Sequence, residues 1–344
     1  MPIERPIEKR HDIAQVIESS IAWIESGADL PINRLPAVVG AHRLIAGHID
    51  QLPIVATNGV PRWLESPRRY GSPLDQGDLV QWLVGSMYFY GFAALAVTRV
   101  QGASWKLEPL NPQGVHCQAT TGARLAMSWR VDGAPAEQLP AVHGQVVDGR
   151  EYLLPIPYVV TPERPWGTTP LIDALSSLQG FTQTERAGAN VFDTGTYSGG
   201  RLETDQDISP AVAVAYQKRW MENRRAGALP VLGSGLRYVN DLANASDLQL
   251  LEARAFNQAI VYSLFGIPLD MMGSALIGGQ SSLSYQNAQD NNARYRANAL
   301  APFTTQIADG LSLLLPPGRD PDEAQRFDFD YAEWETATDA DPSD

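Results

Sequence analysis

The sequence predicts an α+β protein in which helices and short strands follow one another without the regular alternation of a parallel sheet. Two observations carry this. Across residues 167–266 the chain reads helix, strand, helix, strand, helix, with two long helical runs flanking a small insert. Between Phe92 and Val160 it reads instead as short extended segments punctuated by Gly, Pro and Asn. With 344 residues, 44% of them hydrophobic, the chain can bury a sizeable core, and its length suggests two domains or one with insertions.

Taken in order, residues 1–10 mix charge with proline and read as an extended arm. Ile13, Val16, Ile17, Ile21 and Ile24 then repeat at helical spacing up to Gly27. Val38, Ala41, Leu44, Ile45 and Ile49 give residues 36–49 a broad apolar face, the mark of a largely buried helix. Residues 52–55 read as a short strand followed by an Asn58–Gly59 turn. Asp75 or Asp78 can start the next helix, which runs to Tyr90 and stops at Gly91. Residues 92–100 and 104–110 look like paired strands, residues 115–147 like further β-structure, and residues 151–160 like an edge strand broken by Pro155 and Pro157.

The opening of the helix–insert–helix region is sharply marked. Thr169 suits an N-cap and Pro170 the first helical position, and a run to about Gly195 places Leu171, Leu175, Leu178, Thr182, Ala189 and Phe192 on one stripe. Gly180 and Gly188 each weaken such a helix by roughly 1 kcal/mol against Ala, which points to close packing on another helix, including one from a neighbouring subunit. Ser209-Pro210 starts the insert helix to Arg225, whose Val212, Tyr216 and Trp220 share a face. Residues 228–239 are extended, and Ser246–Gln249 is a capping box for a helix ending at Phe265, Gly266 and Pro268. The glycine-rich stretch that follows has no charged residue from Met271 to Leu283. Ser282 or Ser284 opens a long helix that Pro302 should kink and Pro316 end. Phe327–Tyr331 alternates as a strand with one acidic face.

Charge and residue inventory exclude several functions. The net charge is −13, but residues 320–344 hold ten acids and one base, which leaves the rest at 29 acids against 25 bases, or −4. A near-neutral body does not grip nucleic acid through many phosphate contacts. The charged start, Met1 to Arg5, is unlike a signal peptide, and no apolar run approaches the roughly 18 residues of a membrane span. A single cysteine, Cys117, excludes an internal disulfide and suits a reducing cytoplasmic setting. The five histidines lack metal-ligand spacing, Ser234 lies in a Gly-Ser-Gly turn and no phosphate loop with lysine is present, so neither cofactor, metal nor catalytic residue is expected. An alternative from another class stays open on residues alone: a soluble hydrolase using the carboxylates Asp328, Asp330, Glu333 and Glu335. An exposed strand face accounts for them better.

The order of these features resembles the portal protein family of tailed double-stranded-DNA bacteriophages. Ile49-Asp50-Gln51-Leu52-Pro53 resembles the end of the family's early buried helix. Leu64–Pro67, the helix to Tyr90-Gly91, and Leu107–Pro112 follow in family order. Trp166-Gly167-Thr168-Thr169-Pro170-Leu171 is similar to its Gly-x-Ser/Thr-Pro-Leu helix start, Phe265-Gly266-Ile267-Pro268 to its Phe-Gly-Val-Pro-Pro stop with Ile267 for Val and Leu269 for the second Pro, and Phe327–Asp330 to its late Phe-x-Phe-Asp strand. The resemblance runs over almost the whole chain, each motif being short and their shared order specific.

That resemblance implies a non-enzymatic ring, usually of twelve subunits, at one capsid vertex. Residues 1–165 would be the wing, 166–194 and 245–266 the two stem helices, 195–244 the α/β clip, 267–284 the tunnel loop, 285–318 the long kinked helix, and 319–344 the late strand and acidic tail. Met271, Met272, Ser274, Leu276, Ile277, Gln280, Ser281 and Ser282 would then face DNA. Lys218, Arg219, Arg224 and Arg225 would serve docking on the clip. Implied partners are further copies of the chain, the terminase large subunit, the major capsid protein, a head–tail adaptor and double-stranded DNA passing without sequence specificity. The implied setting is the virion, assembled in the bacterial host cytoplasm, with no membrane. Only an acidic tail follows Tyr331, which implies a minimal or absent crown.

Overall fold

In the computed structural model the described residues are 32–100, 104–119, 125–133, 140–142, 146–194, 200–225, 235–240, 245–272, 291–316 and 325–332. The chain divides into two compact units, one containing Leu178–Arg254 and the other Pro36–Ser177 with Ala255–Asp344.

The second unit starts with helix α1 (Pro36–Asp50), whose buried Val38, Ala41, Ile45, Ala46 and Ile49 recur every three or four residues. That stripe packs on α3 (Gln76–Tyr90), which follows the short α2 (Arg62–Glu65). Asp75 stands at the N-cap of α3 without a side-chain cap bond, and Gly91 ends the helix in the left-handed region at φ 83°. Tyr88, near the end of α3, ties several segments together. Its hydroxyl donates to the Val38 carbonyl at 3.0 Å, its ring stacks on Phe265 at 4.1 Å, and its carbonyl accepts the Thr169 hydroxyl at 2.7 Å.

A three-stranded antiparallel sheet follows, in the order β3 (Ser104–Pro109), β2 (Phe92–Val100), β6 (Glu151–Pro157). Phe92 to Val97 are all buried, so the central strand is covered on both faces and reads as a continuous apolar run. The expected break in β6 does not occur: Ala94 pairs with Pro155 and Phe92 with Pro157. The reason is parity. Leu153 sends its N–H outward, to the Pro140 carbonyl, and Pro155 and Pro157 share its alternation, so their missing N–H groups face away from β2. A second antiparallel pair, β4 (Val115–Ala119) with β5 (Met127–Val131), contributes Val115 and Trp129 to a cluster with Phe92, Ala94 and Leu153. Half-buried Cys117 packs against that cluster, and burial pushes its thiol up to about 11.

The late strand β9 (Phe327–Phe329) pairs antiparallel with β1 (Ile54–Ala56), Val55 opposite Asp328. Phe327 and Phe329 are each 4% exposed while Asp328 points to solvent, so the predicted alternation is present and its apolar half is core. α8 (Ala301–Ser312) lies beside β9 and is preceded by a π-helical turn, Arg296–Leu300. The predicted irregularity at Pro302 therefore falls one turn earlier. Proline lacks the N–H that would bond the Asn298 carbonyl and its ring crowds that carbonyl, and the wider turn accommodates both.

The run predicted as one helix to Gly195 is two helices. α4 (Pro170–Asp173) ends at Ala174, whose φ −97° and ψ 20° interrupt the spiral, and α5 (Leu175–Thr194) then resumes. The interruption turns the stripe: Leu171, Leu178 and Thr182 are buried but Leu175 is 46% exposed. Thr169 holds the N-cap position without the expected cap bond, because its hydroxyl is committed to Tyr88; Thr168 instead donates to the Asp173 carboxylate at 2.8 Å. Gly180 is exposed, and a β-carbon there would meet nothing within 4 Å, so the close packing expected of it is not made among the described residues.

In the first unit, β7 (Gly200–Thr204) and β8 (Leu236–Asn240) pair antiparallel around the inserted helix α6 (Pro210–Arg225), and α7 (Ala245–Leu264) follows, its residues from Ala255 on belonging to the second unit. α7 begins two residues before the predicted Asp247. Residues 1–31, which hold the predicted arm and first helix, together with residues 226–234 and 241–244, lie outside the described set.

Candidate functional site

Two segments were singled out by sequence, the insert helix and the loop after α7. α6 starts because Ser209 accepts the N–H groups of Val212 and Ala213 and Pro210 occupies the first turn, where an N–H has no intrahelical partner. Lys218 and Arg219 are exposed on it. Arg224 and Arg225 occupy its last two positions, at the negative end of the helix dipole, where cations are favoured. All four basic residues thus belong to one helix.

The second segment leaves α7 through a left-handed C-terminal cap. Gly266 has φ 68°, and the Ile267 N–H reaches back to the Tyr262 carbonyl at 2.9 Å. A β-carbon on Gly266 would come within 2.7 Å of the Asn298 β-carbon and 2.8 Å of its carbonyl oxygen. The start of the loop is therefore pressed against the π-turn that lies beyond the loop. In the sequence Gly266 signals only a helix stop, and the π-turn has no residue signature beyond Pro302. Leu269–Met272 then forms a 3-10 turn, with the Met271 N–H on the Pro268 carbonyl at 3.1 Å. Met271 is half-buried, and Met272 closes the turn. Ser274, Leu276, Ile277, Gln280, Ser281 and Ser282 lie outside the described residues.

One ion pair had no local spacing to reveal it. Arg254 on α7 meets Glu185 on α5 at 3.1 Å, with the side chains 31% and 26% exposed. It joins the two long helices within the first unit. Its shielding from water places it above the small worth of a fully exposed pair.

Burial lowers the pKa of His48, whose Nδ1 is 2.9 Å from the Tyr295 hydroxyl. Burial, followed by the charge of Arg43, lowers that of His42, which lies against the rings of Tyr88 and Phe89. Asp328 accepts the N–H of Phe329 at 2.8 Å and Asp330 that of Ala332 at 2.9 Å, which is turn chemistry. Glu333 and Glu335 are outside the described residues. An open groove of about 570 Å³ runs beside Asp328, lined also by Val55, Thr57, Thr305, Asp309 and Arg326. Among the described residues no group of three or more His, Cys, Asp or Glu side chains could hold a metal ion, and no helix is long and apolar enough to cross a membrane.

Comparison with solved structures finds the same fold in a phage portal protein and in gene transfer agent particles. An HK97-family phage portal protein from Corynebacterium diphtheriae matches with a TM-score of 0.62 at 17% identity, covering 91% of this chain and 96% of that one. A chain in the neck of a native gene transfer agent particle, treated with twelvefold symmetry, matches at 0.55 and 18% identity, covering 91% and 89%. One in the neck of an empty particle, treated with sixfold symmetry, matches at 0.53 and 16%, covering 95% and 86%. A search by sequence against curated proteins finds no significant match. The family profile described as phage portal protein matches residues 36–341. That match takes in the buried α1, both long helices with their insert, the capped loop and the late strand, and the chain belongs to the phage portal protein family.

Proposed function

We propose that this chain forms the portal ring at a single vertex of a phage-like capsid and is the conduit through which double-stranded DNA is packaged and later ejected. The observation that carries this is the family match over residues 36–341. The twelvefold neck particle that contains a chain of like fold supports a ring of about that order. In this reading α5 and α7 are the stem, residues 195–244 the clip, and residues 1–165 the wing that meets the major capsid protein. The chain acts in the virion after assembly in the host cytoplasm.

Charge supports the division of labour. DNA that must slide cannot be held by many neutralised phosphates, and the stretch from Met271 to Leu283 has no charged residue. That makes residues 267–284 the loop facing DNA. The basic end of α6, with Lys218, Arg219, Arg224 and Arg225, suits an acidic face of the terminase large subunit during packaging and of a head–tail adaptor afterwards, where charge sets orientation and association rate. A hydrolytic role has no observation in its favour, since Asp328 and Asp330 are engaged in backbone turns.

Electron micrographs of the purified full chain test the reading. Rings with a central hole, and particles that lose packaged DNA when the gene is deleted, are the expected results. A compact monomer under all assembly conditions, with DNA packaging unaffected by the deletion, would overturn it.

A further inference from the structure

The first half of α6 is apolar all round and open. Ala211, Val212, Ala213, Val214, Ala215 and Tyr216 are consecutive, and every residue from Ala211 to Arg219 is exposed. Val212 is 41%, Val214 63% and Tyr216 42% exposed. Val212 and Tyr216, four apart, lie on one side of the helix, while Val214 sits about 200° round from Val212, on the opposite side. A helix that is apolar on every side belongs in a buried setting, and contiguous exposed apolar surface marks a contact.

We propose that this half of α6 is wedged between two further copies of the same chain, one on each side, and that motor docking is confined to its basic half. The two-sidedness decides the occupant. A single partner lying along the helix covers one face and leaves either Val212 or Val214 in water. A closed ring built from head-to-tail contacts gives each copy two different neighbours, one on either flank, so opposite faces of one helix are both covered. The next residues reinforce the division. From Lys218 the helix is rich in charge, with Lys218, Arg219 and Glu222 exposed, a composition depleted in the centre of interfaces and at home on a rim. The inference rests on the ring reading above and deepens it: the insert is an assembly element in its first two turns and a docking element only beyond them.

The test uses the full-length chain. A photo-crosslinking residue is placed at position 212, at 214 or at 218 in separate samples, and the products are sized after denaturation. Crosslinks to other copies are expected from 212 and equally from 214, with little from 218. In parallel, Val212→Asp and Val214→Asp each should lower the ring fraction, read by mass photometry at fixed concentration, by more than about tenfold, because each repeats a buried charge at every joint. Lys218→Glu should leave the rings intact. Crosslinks from only one of the two valine positions, or Asp variants that assemble like the wild type, would overturn the inference while wild-type rings leave the portal reading standing. Absence of wild-type rings at any concentration would overturn the ring reading and this inference with it.

Discussion

Gly167 and Gly91 meet where the β3–β2–β6 sheet leaves α3 and the chain turns into α4, and Gly167→Ala tests how tightly that junction is built. Gly167 has φ 116°, a region L side chains avoid. A β-carbon there would fall on the Gly91 carbonyl oxygen, far inside van der Waals contact, and within 3.1 Å of its carbon. That same oxygen accepts the Tyr158 N–H at 2.9 Å, holding the end of β6 to the start of β2. Gly91 is itself closely packed, since a β-carbon built on it would fall 2.6 Å from the Thr168 backbone. The alanine must therefore accept the unfavourable dihedral, about 1–2 kcal/mol, and also displace a buried amide bond, about 1–3 kcal/mol. Their sum, about 2–5 kcal/mol, corresponds to roughly 10 °C in the unfolding midpoint for a unit of this size. Gly133→Ala is the control. It has φ 79°, is exposed, and its β-carbon would meet nothing within 4 Å, so only the dihedral term of about 1 kcal/mol, some 2–4 °C, applies. Scanning fluorimetry of both purified variants decides. Equal shifts, or Gly167→Ala unfolding within about 2 °C of wild type, would refute the argument from close approach.

Trp105→Phe removes the Nε1–H donated to the Leu314 carbonyl at 2.8 Å in a buried setting, and should cost about 1–3 kcal/mol in chemical denaturation. Phe329→Ala empties a position 4% exposed between β1 and α8, with an expected loss of about 3–5 kcal/mol by the same measurement. His42 and His48 both have pKa values depressed below 6.5 by burial, so the unfolded chain binds their protons more readily. The stability they contribute is complete above that pH and is lost as pH falls through the depressed folded values. A denaturation series from neutral to mildly acidic pH should show the loss, and His42→Phe combined with His48→Gln should flatten it. Gly180→Ala adds a methyl to open space on α5 and should raise the stability of the unassembled chain by about 1 kcal/mol.

Elements governed by short-range rules were legible in the sequence. The stripe of α1, the Gly91 stop, the β2–β3 pair and the alternation of Phe327 to Phe329 each depend on spacing or on a residue with one backbone use, and the structure holds them where the pattern puts them. Misreadings arose where a local rule met a tertiary demand. Thr169 looks like a cap, yet its hydroxyl is taken by Tyr88, eighty-one residues earlier in the chain. Pro155 and Pro157 look like strand breakers, but whether a missing N–H matters depends on which neighbour it faces, and that is set by pairing with β2. The interruption at Ala174 has neither Gly nor Pro to announce it. For the candidate site, the basic residues of α6 and the capped end of α7 could be located from pattern alone. The contact of Gly266 with Asn298 and the Glu185–Arg254 pair could not, because both join residues with no local register between them.

Some features make physical sense only beyond one chain. A glycine in the middle of a helix lowers its stability, and normally the close approach of a neighbour explains it. Gly180 carries that penalty with nothing near it. A run of six apolar residues usually marks the inside of a fold, and on α6 it stands in water. In a sequence whose other local signals agree with its fold, such mismatches concentrate at surfaces that function has shaped. Both occur on α5 and the inserted α6, in the unit containing Leu178–Arg254, whereas among the described residues the unit built on α1, α3 and the β3–β2–β6 sheet supplies most of the fully buried core. A chain whose buried core lies mainly in one unit, while an open apolar helix lies in the unit containing Leu178–Arg254, fits the ring reading proposed above with assembly through that latter unit, so that ring closure and formation of the proposed passage would be one event.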